Sequence, residues 1–278
     1  MMMRKKIKQL KKLLKLRSQY NKALGISFQD YYSLSQFGAQ HYVNKDVEFL
    51  GKKIKFTNPF WFLHSLDEIF VEKVYQFIPD SEPHKIIDAG ANIGLSAIFL
   101  KNIFPKAQIT ALEPDPQIFA LLQENIRSFG YEKDVHLLNA AAWINDETLE
   151  FAAEGSVGGQ VMEQNESHAA TIKVKSVRLR ELIDSEIFFL KIDIEGAEYK
   201  VLKDIKDQLF LIKNLFIEFH VRNHEENQLD EILKWVRDAG FRYYIKEAWN
   251  NMDFPFTKKL NNNSGFQMQL NIFCYRND

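Results

Sequence analysis

The first part of the chain combines several short alternations of apolar and polar residues. Within residues 7–14, isoleucine and leucine recur at three- and four-residue spacing between lysines, which predicts an amphipathic helix. Residues 47–57 alternate about a glycine and predict a hairpin, and a helix is predicted over about 65–77. We therefore interpret residues 1–80 as an N-terminal extension made of a basic helix, a hairpin and a second helix.

A different pattern begins at residue 81 and continues to residue 278. Short β-rich runs (KIID, QITALE, VHLLN, IFFLKID and LFIEFH) alternate with helices predicted over residues 95–102, 116–129 and 225–240. Two more runs, FRYYIKEA and FQMQLNIFCYR, predict a final pair of strands. The alternation predicts an α/β domain over residues 81–278, with a seven-stranded, mostly parallel sheet and an antiparallel C-terminal strand.

Two segments outside this scheme are candidates for contact with a ligand. The predicted strands ETLEFAA and ATIKVKSV bracket the glycine-rich loop GSVGGQ, which is either a mobile lid or a plain hairpin tip. Phe60, Trp61 and His64 precede the α/β domain, and they either line a pocket or belong to an aromatic core. The sequence leaves both alternatives open.

Composition and charge indicate an ordinary globular protein with a basic N-terminus. The chain is 46% hydrophobic and 26% charged, which excludes collagen-like and wholly disordered classes. Nine lysines and arginines occur within residues 1–29 without an acid, so the net charge of −1 hides an acidic remainder. The basic segment is either a solvated helix or one that contacts an anionic membrane or a partner.

The cysteine count and the lengths of the apolar runs predict the cellular compartment. Cys274 is the single cysteine, so an intramolecular disulfide is excluded and nothing indicates an oxidising environment. The apolar runs are shorter than the roughly 18–20 residues of a membrane-spanning helix, and the N-terminus lacks the apolar core of a signal peptide. We expect a cytoplasmic protein, with any contact to the inner face of the membrane made through residues 1–29.

Glycines and an acid follow the first two predicted strands. Gly90 and Gly94 lie in the run DAGANIG, where they let the backbone approach a ligand at a helix N-terminus. Glu113 follows Gly94 by 19 residues, where nucleotide-binding α/β folds place an acid on the ribose hydroxyls. The spacing favours a nucleoside ligand, although tight packing alone also explains the glycines. Because the run is not GxGxxG and Asp88 would repel a pyrophosphate, S-adenosylmethionine is favoured over a dinucleotide.

Four runs together resemble the FkbM family of S-adenosylmethionine-dependent methyltransferases. They are DAGANIG, ALEPD, LKIDIEGAE and FIEFH, the resemblance covers about residues 84–246, and the third run is the most family-specific. The resemblance implies a class I Rossmann-like methyltransferase fold with helices on both faces of the sheet. It also implies S-adenosylhomocysteine as the product and, as acceptor, a hydroxyl of a sugar, glycan, glycolipid or natural product.

Matched by position, the resemblance implies a cofactor site. Its residues are Asp88, Gly90, Asn92 and Gly94 in the methionyl loop, Glu113 at the ribose, and Asn139 and Ala140 at the adenine. Apart from the resemblance, Asp193 at the end of the fourth strand is a candidate to bind the methionyl amine. Asn139 departs from the aspartate that many class I enzymes have at this strand end. An amide carbonyl can still accept a hydrogen bond from the exocyclic amine of adenine.

Asp193, Glu195, Glu218 and His220 are predicted to converge at the carboxyl ends of the fourth and fifth strands. Because oxygen methylation requires deprotonation of the acceptor, His220 is the preferred base and Glu195 is expected to orient the acceptor. The alternative is a histidine satisfied by a neighbouring carboxylate. The four residues could also hold Mg²⁺ or Mn²⁺, but the interpretation without a metal is favoured.

Two other functions remain open at this point. A nucleic-acid methyltransferase could use the basic N-terminus, but the acidic remainder and the lack of an amino-methylation motif argue against nucleic acid as a partner. A non-catalytic nucleoside-binding scaffold would not need the acids at all four strand ends. The preferred interpretation is a methyltransferase acting on a small-molecule or glycan acceptor whose identity, like the oligomeric state, the sequence leaves undefined.

Overall fold

The computed structural model describes residues 23–78, 83–152, 160–161, 171–222, 228–262 and 265–276. The predicted basic helix and most of the GSVGGQ loop lie outside these residues, so membrane contact through residues 1–29 stays a prediction. No helix in the described ranges is both long and apolar enough to cross a membrane.

The N-terminal extension contains the predicted hairpin, but its second helix lies earlier than predicted. Its elements are α1 (Phe28–Leu34), β1 (Lys45–Phe49), β2 (Lys52–Phe56), α2 (Pro59–Leu66) and a π-helix (Asp67–Val71). The hairpin is confirmed, whereas the prediction of a helix over 65–77 is wrong at both ends. The side chain of Asn58 caps α2 and Pro59 is its first residue, which fixes the start. Lys73 has a φ of +57°, which helical backbone does not adopt.

The remaining elements form the predicted α/β domain. Its strands are β3 (Lys85–Ala89), β4 (Gln108–Leu112), β5 (Val135–Leu138), β6 (Ala141–Trp143), β7 (Thr148–Ala152), β8 (Gln160–Val161), β9 (Thr171–Arg178), β10 (Ile187–Ile192), β11 (Ile212–Arg222), β12 (Arg242–Asn250) and β13 (Phe266–Tyr275). Its α-helices are α3 (Leu95–Ile103), α4 (Pro116–Phe129), α5 (Leu179–Leu182), α6 (Glu198–Ile205) and α7 (Leu229–Asp238). Short 3₁₀ turns lie at Leu209–Leu211 and Pro255–Thr257.

The seven-stranded sheet has the order β5-β4-β3-β10-β11-β13-β12. Neighbouring strands from β5 to β11 are parallel, and β13 is antiparallel to both β11 and β12. This arrangement confirms the predicted fold class. The predicted strands ETLEFAA and ATIKVKSV form β7 and β9, which pair antiparallel in a separate four-stranded sheet of order β6-β9-β7-β8.

Helix α4 shows how closely local signals can define an element. Asp115 caps its N-terminus, Pro116 is its first residue, and Gly130 ends it with a φ of +77°. The helix therefore occupies the residues 116–129 that the sequence predicts. Helix α7 is described from Leu229 onward, and most of the earlier part of its predicted range lies outside the described residues.

The N-terminal extension packs into the same hydrophobic core as α3 and α4. Phe56 of β2 stacks on Phe62 of α2 with ring centroids 4.1 Å apart. Asn125 of α4 accepts a hydrogen bond from the Lys55 amide at 2.7 Å and donates to the carbonyls of Lys55 and Ile93, both at 2.9 Å. This buried amide joins the hairpin to the loop after β3.

Cys274 lies in β13, between β11 and β12. Its side chain is buried, and burial raises the pKa of the thiol to about 12. The thiolate is therefore absent at neutral pH, as in other structural cysteines.

Candidate active site

A cavity of about 1250 Å³ lies at the carboxyl ends of β3, β4, β10 and β11. The N-terminal extension contributes Trp61, His64, Glu68 and Tyr75 to its wall, and the C-terminal strands and their connection contribute Tyr244, Trp249, Phe266 and Asn271. Trp61 and His64 thus line a pocket, which was one of the two alternatives for this aromatic group. Phe60 does not line the cavity and is 39% exposed.

The loop after β3 owes its shape to three residues with positive φ. The angle is +85° at Gly90, +49° at Asn92 and +93° at Gly94. A Cβ on Gly90 would lie 1.8 Å from the carbonyl oxygen of Asp193, and one on Gly94 would lie 2.7 Å from Leu122 Cδ1. Close packing against β10 and α4 therefore requires both glycines, independently of any ligand.

Glu113, directly after β4, lines the cavity next to this loop. Its Oε2 accepts the Asn92 amide at 3.0 Å, and its Oε1 accepts the Asp115 amide at 2.9 Å. Burial raises the pKa of this carboxyl to about 8, although the two backbone donors oppose the shift. Each carboxylate oxygen has two lone pairs, so both retain capacity for a further hydrogen bond.

Asp88 lies beneath the cavity and not on its wall. It is fully buried, accepts a hydrogen bond from Ser96 Oγ at 2.5 Å and pairs with Lys191 Nζ at 3.3 Å. Lys191 donates to the Gly90 carbonyl at 2.7 Å and pairs with Asp193 at 3.1 Å. Burial opposes the charge of Lys191, but Asp193 and Asp88 outweigh it and raise the pKa of the ammonium above its usual value. Lys191 therefore ties β10 to the loop after β3.

Asn139 and Ala140 lie beside the cavity, and neither belongs to its wall. The exposed Asn139 amide donates to the carbonyls of Glu113 at 2.9 Å and Pro114 at 3.1 Å, which holds the loop after β4. Ala140 is buried, and the next two residues, Ala141 and Ala142, line the cavity instead. The chain thus presents small apolar side chains where the resemblance implied an amide.

Asp193, Glu195 and Glu218 meet at the wall of the cavity. Asp193 and Glu195 follow β10, and Glu218 lies one residue past the last register pair, Ile192 with Ile217. The side chains of the three acids are 25%, 18% and 16% exposed, in that order. Burial and the nearby charge of Asp193 raise the pKa of Glu218 well above its usual value. The structure therefore brings together the three carboxylates predicted from the strand ends.

His220 lies behind these carboxylates. The side chain is only 1% exposed, and it does not belong to the cavity wall. Its Nδ1 lies 3.0 Å from Glu198 Oε1, and its Nε2 lies 3.3 Å from Glu195 Oε2 and 3.9 Å from Glu218 Oε1. Burial disfavours the imidazolium, but Glu195 and Glu198 outweigh it and raise the pKa of His220 well above its usual value. The ring therefore supports the carboxylates from inside the protein.

Glu198 is a residue of this site that our sequence reasoning missed. It is completely buried in the first turn of α6, and its Oε1 accepts the amides of Ile194 at 3.2 Å and Gly196 at 3.0 Å. These bonds hold a loop in which Glu195 has a φ of +55°. An acid in the first turn of a helix is a common sequence feature that by itself indicates no functional site. The role of Glu198 becomes visible only in the structure, where His220 of β11 approaches the same carboxylate.

Comparison with known proteins identifies the family. The profile described as the methyltransferase FkbM domain matches residues 88–243, which is more than half of the chain. The chain belongs to the FkbM methyltransferase family. It is 27% identical over 183 residues to Methyltransferase 1 of Beauveria bassiana, covering 56% of this chain and 72% of that protein. It is 29% identical over 181 residues to the hexuronic acid methyltransferase AglP of Haloferax volcanii, covering 63% of this chain and 70% of that protein.

Solved structures of methyltransferases are also similar to this FkbM-family chain. One is the crystal structure of methyltransferase FkbM from Methylobacillus flagellatus KT, with 18% identity and a TM-score of 0.45. The similarity covers 70% of this chain and 45% of that chain, so this protein spans less than half of the solved one. The match of the family model over residues 88–243 confirms the resemblance to the FkbM methyltransferase family.

The cavity of this FkbM-family protein has a strongly acidic wall. The charged side chains that line it among the described residues are Asp67, Glu68, Glu72, Glu113, Asp115, Asp193, Glu195, Glu218, Glu247, Lys191 and Lys246. Acids exceed bases by a wide margin, and a cleft lined by one sign of charge concentrates ligands of the opposite sign. The cavity is therefore suited to neutral or cationic ligands.

Proposed function

We propose that the protein transfers a methyl group from S-adenosylmethionine to a hydroxyl of a sugar, glycan, glycolipid or natural product. One observation carries the proposal: Glu113 and the carboxylates of Asp193, Glu195 and Glu218 line the same cavity. An acid suited to ribose hydroxyls and groups able to accept a proton thus face a common space, which is what transfer from a nucleoside cofactor to an alcohol requires.

The residues around Glu113 fit S-adenosylmethionine. Both oxygens of Glu113 can accept one more hydrogen bond, which suits the two ribose hydroxyls. Ala141 and Ala142 offer a small apolar surface that suits the adenine, and we assign the methionyl group to the loop at Gly90 and Asn92, which lines the same cavity. The cofactor, when bound, supplies a methyl group on a positively charged sulfur, which is compatible with the acidic wall.

Glu218 is our candidate for the general base, in place of His220. The geometry supports this choice, because the Glu218 carboxylate lines the cavity and the His220 ring lies behind it. As the acceptor oxygen forms its bond to the methyl carbon and the carbon–sulfur bond breaks, Glu218 accepts the hydroxyl proton. His220 and Glu198 then act as positioning residues that fix the carboxylates around the acceptor.

The wall of the cavity supports a sugar-like acceptor. Trp61, Tyr75, Tyr244 and Trp249 offer aromatic faces, and the nearby carboxylates can accept hydrogen bonds from hydroxyls. A sugar ring presents both an apolar face and a set of hydroxyl donors. The acidic wall disfavours a phosphate-rich acceptor such as nucleic acid, because like charges repel. The relative from Haloferax volcanii, named as a hexuronic acid methyltransferase, supports a sugar acceptor, and the acidic wall favours a neutral sugar over a uronate.

Calorimetry with S-adenosylmethionine tests the first half of this proposal. We expect saturable binding by the parent protein and weaker binding by Glu113→Gln, which replaces one of the two oxygens that face the ribose hydroxyls with an amide NH₂ group. A parent protein that gives no heat and no thermal shift with S-adenosylmethionine would leave the scaffold interpretation in first place.

A second assay tests methyl transfer. Formation of S-adenosylhomocysteine is measured with a panel of free sugars, hexuronates, glycosides and simple phenols, with a short RNA as the competing class of acceptor. We expect turnover with at least one hydroxyl acceptor. Turnover confined to RNA would contradict the proposed acceptor class while leaving methyl transfer intact.

A further inference from the structure

We propose that Asp193, Glu195 and His220 bind a divalent metal ion of the Mg²⁺ or Mn²⁺ class at the wall of the cavity. The inference rests on the proposed function, whose acceptor it would contact. One carboxylate oxygen from each acid and one ring nitrogen of His220 all lie within 4.8 Å of one another. Ligands on opposite sides of such an ion are separated by about 4–5 Å, so the three atoms surround a space of suitable size.

The nitrogen that faces this space is Nε2 of His220. It is buried and forms no hydrogen bond within the described part of the chain, although Glu195 Oε2 lies 3.3 Å away. The other ring nitrogen is held by the Glu198 carboxylate at 3.0 Å. A carboxylate can only accept, so Nδ1 carries a proton, and in the neutral ring the lone pair is left on Nε2. Histidines that ligate metals are oriented in this way by a carboxylate on their second nitrogen.

Glu195 is directed toward His220 by the loop that Glu198 holds. The positive φ of Glu195 and of Gly196 turns the chain back after β10, and the two backbone bonds to Glu198 fix that turn. The same buried carboxylate thus fixes one ligand through its ring and another through its backbone. This shared support distinguishes the group from a chance cluster of exposed acids.

The local charge gives the ion a reason to bind. Four carboxylates lie around the ring, those of Asp193, Glu195, Glu198 and Glu218, while Lys191 pairs with Asp193 and the Arg222 guanidinium lies beside Gly196. A buried imidazolium would add a single charge, and its Nε2 proton would lack a well-directed acceptor. A divalent ion neutralises more of the negative charge and uses the lone pair instead. Carboxylate oxygens are the ligands that Mg²⁺ and Mn²⁺ prefer, and the imidazole nitrogen favours the transition metal Mn²⁺ of the two.

The ion would act on the acceptor hydroxyl. Three protein ligands leave coordination positions open, and Asp193 and Glu195 lie on the cavity wall. A hydroxyl oxygen at an open position would have its pKa lowered, which eases transfer of its proton to Glu218. An anionic acceptor such as a uronate, which the acidic wall alone would repel, could bind through the same ion.

The test measures metal binding directly, apart from activity. Protein treated with EDTA and dialysed is titrated with Mn²⁺, and free Mn²⁺ is followed by electron paramagnetic resonance. We expect one tight site in the parent protein, lost in Glu195→Gln and weakened about 10- to 100-fold in Glu198→Gln, which disturbs the orientation of the ring. Glu247→Gln, which changes a cavity carboxylate on β12, should leave the Mn²⁺ affinity unchanged. Circular dichroism checks that each variant is folded, and Glu195→Gln is the main variant because its side chain is partly exposed.

Failure of the metal site and failure of the proposed function give different experimental results. If the parent protein binds Mn²⁺ no better than Glu195→Gln does, the metal site is excluded. If S-adenosylmethionine binds and methyl transfer proceeds at full rate in EDTA, the proposed function stands and the metal is excluded from it. If Mn²⁺ binds at this site but S-adenosylmethionine does not bind, the metal site stands and the proposed function fails.

Discussion

The cofactor side and the acceptor side of the cavity are built in different ways. The proposed cofactor residues up to Glu113 lie within residues 88–115, and backbone shape dominates there: positive φ at the loop, close glycine packing and amide donors to Glu113. The acceptor side draws on residues 61–75, 193–220 and 244–271, and its chemistry lies in charged side chains that hold one another. The cofactor side is therefore fixed by backbone conformation and close packing, whereas the acceptor side is fixed by ion pairs and hydrogen bonds between side chains.

A Cβ at Gly90 should break the cofactor side most severely. In Gly90→Ala the new atom would lie 1.8 Å from a backbone oxygen, which no side-chain movement can relieve. We expect a loss of about 4 kcal/mol or more in the free energy of unfolding, or no folded protein at all. Urea denaturation measures it. Gly130→Ala is the matched control, since its φ is also positive but no atom lies within 4 Å of the new Cβ; its expected cost is about 1–2 kcal/mol.

Glu218→Gln should separate the two sides by activity. An amide cannot accept the hydroxyl proton, so we expect kcat to fall by about 10²–10⁴-fold. The affinity for S-adenosylmethionine, measured by calorimetry, should stay within about threefold because Glu113 and its loop are untouched. Glu150→Gln on β7, which does not line the cavity, is the control for kcat. An equal loss of cofactor affinity in Glu218→Gln would show that the two sides are not independent.

Glu113→Gln should weaken cofactor binding and leave the acceptor side unchanged. The amide NH₂ group would leave a ribose hydroxyl without its acceptor, which should weaken S-adenosylmethionine binding by about 10- to 100-fold, the cost of an unpaired polar group. A rise in the acceptor KM at saturating cofactor, with unchanged cofactor affinity, would place Glu113 on the acceptor side instead.

The raised pKa of Glu113 predicts that the stability of the folded protein depends on pH, and Glu113→Gln tests this. In the folded protein the pKa of Glu113 is raised to about 8, above the 4.5 of an exposed glutamate, so the folded protein retains a proton that the unfolded chain releases. The contribution of this group to the free energy of unfolding therefore falls as pH rises from about 4.5 to about 8. We expect Glu113→Gln to gain stability relative to the parent protein between pH 5 and pH 8. Thermal melts at the two pH values check the sign, and an opposite trend would mean that Glu113 is ionised in the folded protein.

Trp61→Leu should give the smallest of these effects. Loss of an aromatic face on the acceptor side should raise the acceptor KM by about 2- to 10-fold, as expected for about 0.5–1.5 kcal/mol of ring contact. Cofactor affinity should not change. Phe60→Leu is the neighbouring control, because Phe60 is partly exposed and does not line the cavity. Equal changes in KM for both variants would mean that α2 shifts as a whole and that Trp61 does not contact the acceptor.

The sequence predicts well those elements that are defined by nearby residues. Helix α4 has a capping aspartate, an initial proline and a terminal glycine, and its predicted bounds are confirmed. The helix predicted over 65–77 fails for the converse reason. The asparagine cap at Asn58 sets the start of the helix at Pro59, and the chain leaves helical backbone at Lys73.

The site shows the same division between local and distant information. The positions of the strand ends and the alternation of side chains along the strands are sufficient to predict that Asp193, Glu195 and Glu218 lie close together. They could not show that His220 lies behind the carboxylates, because this depends on Glu198 in α6, 22 positions away along the chain. In the same way, the burial of Asp88 follows from its pairing with Lys191, which the spacing of glycines and acids does not reveal.

The buried thiol of Cys274 allows the opening of the seven-stranded sheet to be measured by chemical modification. A maleimide or a disulfide reagent can modify this side chain only when β13 separates from β11 or β12, since the native thiol is both enclosed and protonated. As the chain has no second cysteine, the labelling rate reads out a single location without any engineered probe. The kinetics of modification would thus give the opening free energy of the strand that borders the acceptor side, with and without cofactor.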